Sequence, residues 1–238
     1  MKVATILALA STATFSSAAF FTAEATNNAT VQPAGPRSGS NGKTFFNVEG
    51  SANNNYASFG VADFSVSSFG VGFVVGDVSS LEIKLTQSNA SFTKPGSVRI
   101  YLATDTATSI ESTNTSLKFD TNSLPGGVGS QLGTLYDLGV GVFSGNGNTG
   151  SGSVDLYSLA LSGAAKTFFI SQLNTSGATL RLVITPETDT TAATWAGYSH
   201  STYAGPTLNF EAQAVPEPAT IVGLALAAGV ILARRRRS

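Results

Sequence analysis

The sequence predicts an all-β domain, an antiparallel β-sandwich or jelly roll, with a signal peptide before it and one short transmembrane helix after it. Apolar and charged residues alternate with a period of two in several short segments, and clusters of Gly, Asn, Ser and Pro separate them. No central segment has the pattern of a long amphipathic helix. About nine short strands joined by such turns are typical of two packed sheets.

The first 25 residues have the pattern of a secretory signal peptide. Lys2 is a minimal positive region, residues 3–10 are apolar, and Ala23 and Ala25 put small side chains at the two positions that signal peptidase recognises. Residues 17–19 offer a second cleavage site. An uncleaved anchor is the weaker alternative, because Ser and Thr interrupt the apolar run well before the ~20 residues of a membrane span.

The next two segments are a flexible leader and the β-sandwich domain. Residues 26–43 have almost no apolar content and many Asn, Ser, Gly and Pro residues, which indicates a flexible leader. The β-sandwich domain is predicted over residues 44–214, and its clearest strands are residues 81–85, 98–102 and 180–184. Further β-rich segments are residues 56–64, 71–75, 131–142, 154–159, 167–170 and 207–210.

The composition of the exported part excludes several kinds of site. Removing Lys2 and the four terminal arginines leaves 8 of the 13 basic residues, and removing Glu24 leaves 13 of the 14 acidic ones, a net charge of about −5. Such a surface does not favour nucleic acid or anionic lipid. The chain has no cysteine, so it has no disulfide, no thiolate nucleophile and no cysteine metal site.

The sequence has few candidates for catalytic residues, and we predict no enzyme activity. His200 is the single histidine and so the one possible base of a Ser-His-Asp triad, but its surroundings favour an ordinary loop residue. A glycosidase pair of carboxylates from distant strands stays open. The acidic residues fall mostly at strand ends, where they suit turns, and no loop has the dense spacing of a calcium site. We therefore expect no metal or cofactor, with calcium as the alternative.

The last 24 residues combine three features in a fixed order. A processing motif consists of Val215, Pro216, Glu217 and Pro218, the apolar run covers residues 219–233, and four arginines follow: Arg234, Arg235, Arg236 and Arg237. Fifteen helical residues span roughly 22 Å, less than the ~30 Å hydrocarbon core, so the predicted transmembrane helix is marginal. The arginines favour a cytoplasmic position for their end of the helix. A buried core helix is the alternative, but the run has no polar face.

These three features together resemble the PEP-CTERM sorting signal of bacteria that make exopolysaccharide. The resemblance covers about the last tenth of the chain. It implies recognition by an exosortase, a membrane-embedded protease or transpeptidase that cuts near Pro216, Glu217 and Pro218. It also implies a transient stay in the inner membrane, followed by transfer to the cell surface or the extracellular matrix.

Three aromatic residues near the end of the domain form a candidate sugar platform: Trp195, Tyr198 and Tyr203. An exposed planar ring can stack on a pyranose face. The alternative, which the residue type favours, makes Trp195 a core anchor. Residues 180–186, 195–198 and 205–208 are also similar to the closing strands of β-sandwich domains of other PEP-CTERM proteins, which are related in shape to carbohydrate-binding modules. This resemblance brings no diagnostic binding residue.

The sequence therefore predicts a secreted structural or adhesive protein of the cell surface or exopolysaccharide matrix. A carbohydrate-binding module is the alternative, and a secreted hydrolase is a third. The expected partners are signal peptidase, an exosortase, the membrane during sorting, and exopolysaccharide.

Overall fold

The structure is a computed structural model and describes residues 18–37, 39–89, 93–123, 125–145 and 151–215. The chain is mostly β, with 46% strand and 13% helix, and its sheets are antiparallel, as predicted for an all-β sandwich. The strands are β1 (Ala18–Glu24), β2 (Asn27–Gln32), β3 (Gly35–Pro36), β4 (Phe45–Glu49), β5 (Phe59–Ser65), β6 (Val75–Thr86), β7 (Gly96–Ala103), β8 (Leu135–Phe143), β9 (Val154–Ser158), β10 (Thr179–Pro186), β11 (Ala192–Ala196) and β12 (Thr207–Ala214). The helices are α1 (Gly39–Thr44) and α2 (Gly163–Leu173), with 3₁₀ helices at Ser51–Tyr56 and Val66–Phe69.

The strands form three antiparallel sheets. A four-stranded sheet has the order β1-β12-β6-β9, and a six-stranded sheet has the order β3-β2-β5-β10-β7-β8. β4 and β11 form a separate two-stranded sheet in which Asn47 lies opposite Thr194.

The main core lies between the two large sheets. Alternate residues of β6 and β12, such as Ile83 and Phe210, pack in one cluster with alternate residues of β10 and β7, such as Leu182 and Ile100. All four side chains are fully buried. The period-two pattern of these strands therefore arises because one face of each sheet lies against the other.

A second core covers the outer face of the six-stranded sheet. The connection between β7 and β8, residues 104–134, contains no strand among its described residues. It contributes Ile110, Leu117 and Val128 to a buried cluster with Val61 of β5 and Val183 of β10. Because both faces of β10 are covered, six of its eight residues are buried.

A buried ion pair connects the six-stranded sheet to this long connection. Arg181 of β10 is 2% exposed, and its Nε and Nη2 donate to the two carboxylate oxygens of Asp63 on β5 at 2.7 and 2.8 Å. Nη1 donates to the carbonyl oxygens of Asp105 and Thr108 at 3.0 and 2.8 Å. The bidentate geometry and the additional acceptors satisfy all three guanidinium nitrogens, as a buried charge requires.

The N-terminal part of the chain differs from the predicted flexible leader. Within the predicted leader of residues 26–43, β2 pairs with β5 and contributes the fully buried Val31, and β3 and α1 follow it. The prediction was wrong because the polar residues of β2 are themselves buried through hydrogen bonds. Asn28, for example, accepts the backbone N–H of Tyr198 at 2.7 Å.

β1 lies within the predicted signal peptide. All seven of its residues pair with β12, and Phe21 stacks on Phe210 with ring centroids 5.3 Å apart. Ala23 and Ala25 belong to the main core. The packed domain thus begins well before residue 44.

A helix replaces one predicted strand. Residues 167–170 are aromatic or β-branched for the most part, which favours a strand, but they lie in the middle of α2. Ala165, Phe169 and Leu173 are the buried residues of α2, and their spacing of four is that of one helix face. Packing against the core therefore outweighs local strand propensity.

Several predictions fall outside the described residues. These are residues 1–17 of the signal peptide and the tail from Pro216 onward, with the apolar run and Arg234, Arg235, Arg236 and Arg237. Val215 is described: it is 47% exposed, and its backbone N–H donates to the carbonyl oxygen of Val74 at 2.9 Å. Within the described ranges, no helix has the length and apolar character to cross a membrane.

Candidate functional site

A cleft of about 550 Å³ lies over the two-stranded sheet. Its floor consists of alternate residues of the two strands, namely Phe45, Asn47 and Glu49 of β4 with Ala192 and Thr194 of β11. The intervening residues of both strands face the core and are almost all fully buried. The volume is within the range of small-molecule sites, about 300–1,000 Å³.

The 3₁₀ helix Ser51–Tyr56 contributes an exposed ring and an amide to the cleft. Tyr56 lines the cleft and is 66% exposed. Asn53 also lines it, and its Nδ2 donates to the carbonyl oxygens of Gly50 and Thr191 at 3.1 and 3.0 Å. These bonds hold the amide in place, while its Oδ1 has no partner within the described part of the chain. An exposed ring beside a fixed amide is an arrangement that a sugar can use for stacking and hydrogen bonding.

Asn47 is a buried polar residue of the floor. It is 8% exposed, and its Nδ2 donates to Glu49 Oε1 and to Thr194 Oγ1, both at 3.2 Å. Its Oδ1 is buried and lacks a hydrogen-bond partner among the described residues. An unsatisfied buried acceptor costs stability, so a donor bound at the floor would be favoured there.

Glu49 is the single carboxylate among the described residues that line this cleft. Burial raises the pKa of Glu49, an effect that the hydrogen bond from Asn47 and the charges of Arg37 and Lys94 oppose. A glycosidase needs two carboxylates on opposite sides of the scissile bond. The described lining therefore has the groups for binding a polar ligand but lacks that pair.

A second cleft, of about 450 Å³, is a weaker candidate. It is lined in part by Arg99, Tyr101 and Glu187. Arg99 donates to both carboxylate oxygens of Glu187, at 2.8 and 2.6 Å, and to Asp137 at 2.6 Å. Arg99 and Glu187 are thus already paired with each other, whereas the cleft over β4 and β11 keeps unpaired polar atoms.

The predicted platform does not form around Trp195. This residue is fully buried, and its ring packs against Phe46 and Phe143 at centroid distances of 6.2 and 5.4 Å. Its ring therefore cannot stack on a sugar, and the core-anchor alternative is correct. Tyr198 and Tyr203 are half-buried.

His200 is part of a loop and does not have the geometry of a triad base. Its Nδ1 accepts the backbone N–H groups of Thr202 and Tyr203, both at 3.1 Å, and its ring stacks on Tyr203 with centroids 5.1 Å apart. In a Ser-His-Asp triad the Nδ1–H group of the histidine donates a hydrogen bond to the carboxylate. The nitrogen that would face the aspartate is used here to close a turn.

Sequence reasoning missed the cleft because its residues come from five separate segments: Arg37, and residues within 45–49, 53–56, 89–94 and 192–194. Apolar and polar residues alternate over residues 46–49, but four residues are the lower limit of a strand pattern and do not fix the place of a strand. Asn47 and Thr194 meet across 147 positions of the chain, and no local pattern shows such a pairing. Tyr56, which follows three asparagines, is the one local signal for a polar site with an aromatic ring.

Asp155 of β9 contacts the buried Trp195. Its Oδ2 accepts Trp195 Nε1–H at 2.6 Å, and both its oxygens accept from Gln87 Nε2 at 3.1 Å. Burial raises the pKa of Asp155, and the two hydrogen bonds only partly oppose this effect. The ionised form is thus disfavoured in the folded protein.

We expect the Asp155→Asn variant to change the pH dependence of stability. Above the ordinary aspartate pKa the folded protein holds a proton that the unfolded chain has released, so wild-type stability falls as pH rises through the raised pKa. The Asp155→Asn variant has no titrating group at this position, so it does not lose stability in this way. Urea unfolding between pH 3 and 7 should therefore show that the unfolding free energy of the variant minus that of the wild type increases with pH.

Asp120→Asn is the matched control. The backbone N–H of Asn122 lowers the pKa of Asp120, so its ionised form is favoured in the folded state. The same difference should then decrease as pH rises. A flat or decreasing difference for Asp155→Asn would contradict the assignment.

The described residues contain no group of three or more His, Cys, Asp or Glu side chains that could hold a metal ion. The calcium alternative has no further observation in its favour. Asp105 and Asp120 have the turn role expected of such acids: Asp105 accepts the backbone N–H of Ala107 at 2.8 Å, and Asp120 accepts that of Asn122 at 3.0 Å.

Searches for related proteins add no family to this description. No protein-family model matches the chain, and no curated protein is significantly similar to it.

Proposed function

We propose that the protein is an exported, non-catalytic component of the cell surface or exopolysaccharide matrix, and that its β domain binds a saccharide in the cleft over β4 and β11. The observation that carries the binding proposal is the floor of polar side chains beside the exposed ring of Tyr56. Hydroxyl groups of a sugar would bond the amides of Asn47 and Asn53, and a pyranose face would stack on the ring.

The proposal that the protein is exported and sorted to the cell surface is supported by the sequence of the tail alone. The motif Pro216-Glu217-Pro218, the apolar run and the arginines resemble a PEP-CTERM signal, which implies an exosortase and transient insertion in the inner membrane. The jelly-roll arrangement, the signal peptide and the transmembrane helix belong to the same proposal. Intact-mass analysis of surface protein tests it, because a mature product that still carries Arg234 to Arg237 contradicts removal of the tail.

We expect the mature N-terminus to be Phe20. Cleavage after Ala25 would remove all of β1, and with it the contact of Phe21 with Phe210 and the pairing along β12. Cleavage after Ala19, at the alternative site, keeps residues 20–24 of the strand. Intact mass or N-terminal sequencing of exported protein distinguishes the two sites, and a product that begins at Thr26 would contradict the expectation.

Titration of the purified full-length chain with a panel of oligosaccharides tests the binding proposal. Tyr56→Ala should weaken binding of the best ligand about tenfold, since the stacking surface is lost. Asn53→Ala should weaken it several-fold. Tyr203→Ala is the matched control from the originally predicted platform, and it should bind as the wild type does. Loss of binding with Tyr203→Ala but not with Tyr56→Ala would overturn the position of the site, and no binding to any glycan would overturn the function.

A further inference from the structure

Basic side chains are few in the exported part, and their distribution is uneven. Residues 18–215 contain eight of them. Four form ion pairs: Lys43 with Glu111, Arg99 with Asp137 and Glu187, Lys166 with Asp77, and Arg181 with Asp63. The other four are Arg37, Lys84, Lys94 and Lys118, and two of these, Arg37 and Lys94, line the cleft over β4 and β11.

The backbone fixes both cationic residues next to the cleft floor. Arg37 donates its backbone N–H to the carbonyl oxygen of Thr30 at 2.9 Å, and Lys94 exchanges two backbone hydrogen bonds with Ala192 at 2.8 and 3.1 Å. Neither side chain forms a hydrogen bond or ion pair within the part of the chain that the structure describes. Both act electrostatically on Glu49.

The cleft therefore has a charge opposite to that of the whole domain. Two cations face one carboxylate, Glu49, whose burial favours its neutral form. The exported part as a whole carries about −5. A local positive potential on an acidic protein attracts an anionic ligand to the cleft, while the negative surface elsewhere disfavours its binding.

We propose that the ligand of this cleft is an acidic saccharide whose uronate carboxylate binds Arg37 and Lys94. This inference rests on the proposed saccharide-binding function and names its ligand class. The guanidinium fork matches the two oxygens of a carboxylate, and the ammonium group adds a second charge. The floor amides and the Tyr56 ring remain available for hydroxyl groups and for a sugar face.

Three oligosaccharides of equal length test the proposal on the full-length chain at low salt. They are an oligogalacturonide, the same oligomer after chemical reduction of its carboxyl groups, and a sulfated galactose oligomer. The uronate should bind about tenfold or more tightly than its carboxyl-reduced form, as loss of a charge-assisted hydrogen bond implies. Its affinity should fall when the ionic strength is raised to about 1 M.

Three variants locate the charge effect. Arg37→Gln and Lys94→Gln should each reduce uronate affinity several-fold or more, and the double variant should bind the uronate and its reduced form equally. Lys118→Gln removes the same charge from an exposed residue outside the cleft and should change the affinity little. Unchanged denaturation midpoints would show that the variants are folded.

The outcomes separate this inference from the function on which it rests. Equal or tighter binding of the reduced oligomer overturns the inference and leaves saccharide binding intact. Tighter binding of the sulfated oligomer overturns the assignment to a carboxylate, and equal losses in Lys118→Gln and in the cleft variants overturn the role of the cleft. Binding of no oligomer overturns the proposed function itself.

Discussion

Arg181→Met is expected to lower the free energy of unfolding by about 3–5 kcal/mol, because it leaves the carboxylate of Asp63 buried without its partner. The loss also removes the donor of two hydrogen bonds to the connection after β7, at the carbonyl oxygens of Asp105 and Thr108. Urea unfolding followed by circular dichroism measures the change.

Two further variants identify the cause of the Arg181 effect. The double variant Asp63→Leu with Arg181→Met removes both charges and should recover much of the lost stability. Arg99→Met removes an arginine from an ion pair at the surface and should cost about 1 kcal/mol or less, because solvent screens its partners. Equal losses for Arg99→Met and Arg181→Met would contradict the importance that we assign to burial.

Phe210→Ala is expected to cost about 3–5 kcal/mol, because it removes the centre of an aromatic cluster in the main core. Phe210 is fully buried, and the rings of Phe21, Phe69 and Phe169 surround it at centroid distances of 5.3, 4.9 and 5.5 Å. Phe21 is the only one of these from β1, so the variant should also weaken the attachment of that strand.

The control for Phe210 is the same substitution at an exposed position of the same strand pair. Phe20 is 66% exposed and lies opposite Glu211, so Phe20→Ala should change stability by about 0.5 kcal/mol or less. Hydrogen exchange of β1 should become faster in Phe210→Ala and stay unchanged in Phe20→Ala. A loss of similar size in both variants would contradict the described packing.

The strands that could be predicted are those in which apolar and charged residues alternate. Residues 81–85, 98–102 and 180–184 each lie within a strand of the structure. In β6 the alternation reflects one face against the core, whereas β10 is buried on both faces and its charged residue, Arg181, is paired with Asp63. Thr167 to Ile170 were mistaken for a strand, since the helical spacing of Ala165, Phe169 and Leu173 extends beyond that short window.

The predicted aromatic platform includes a buried residue, Trp195, for a different reason. Trp195 was a candidate because of its chemistry, but burial decides whether a ring can stack on a sugar, and the pairing of β11 with β4 directs it into the core. The same pairing puts Thr194 on the opposite face, beside Asn47, and so creates the cleft. Residue type alone led to the hypothesis of a sugar ligand, and only the register of the two strands locates the candidate cleft.

Hydrogen–deuterium exchange of the full-length chain, with and without a bound oligogalacturonide, tests the central claim most directly. Binding in the cleft predicts slower exchange in peptides that cover residues 45–56 and 192–196, and no change in peptides that cover residues 198–203. Protection at residues 198–203, or no protection at residues 45–56 when the sugar is bound, would contradict a saccharide site over β4 and β11.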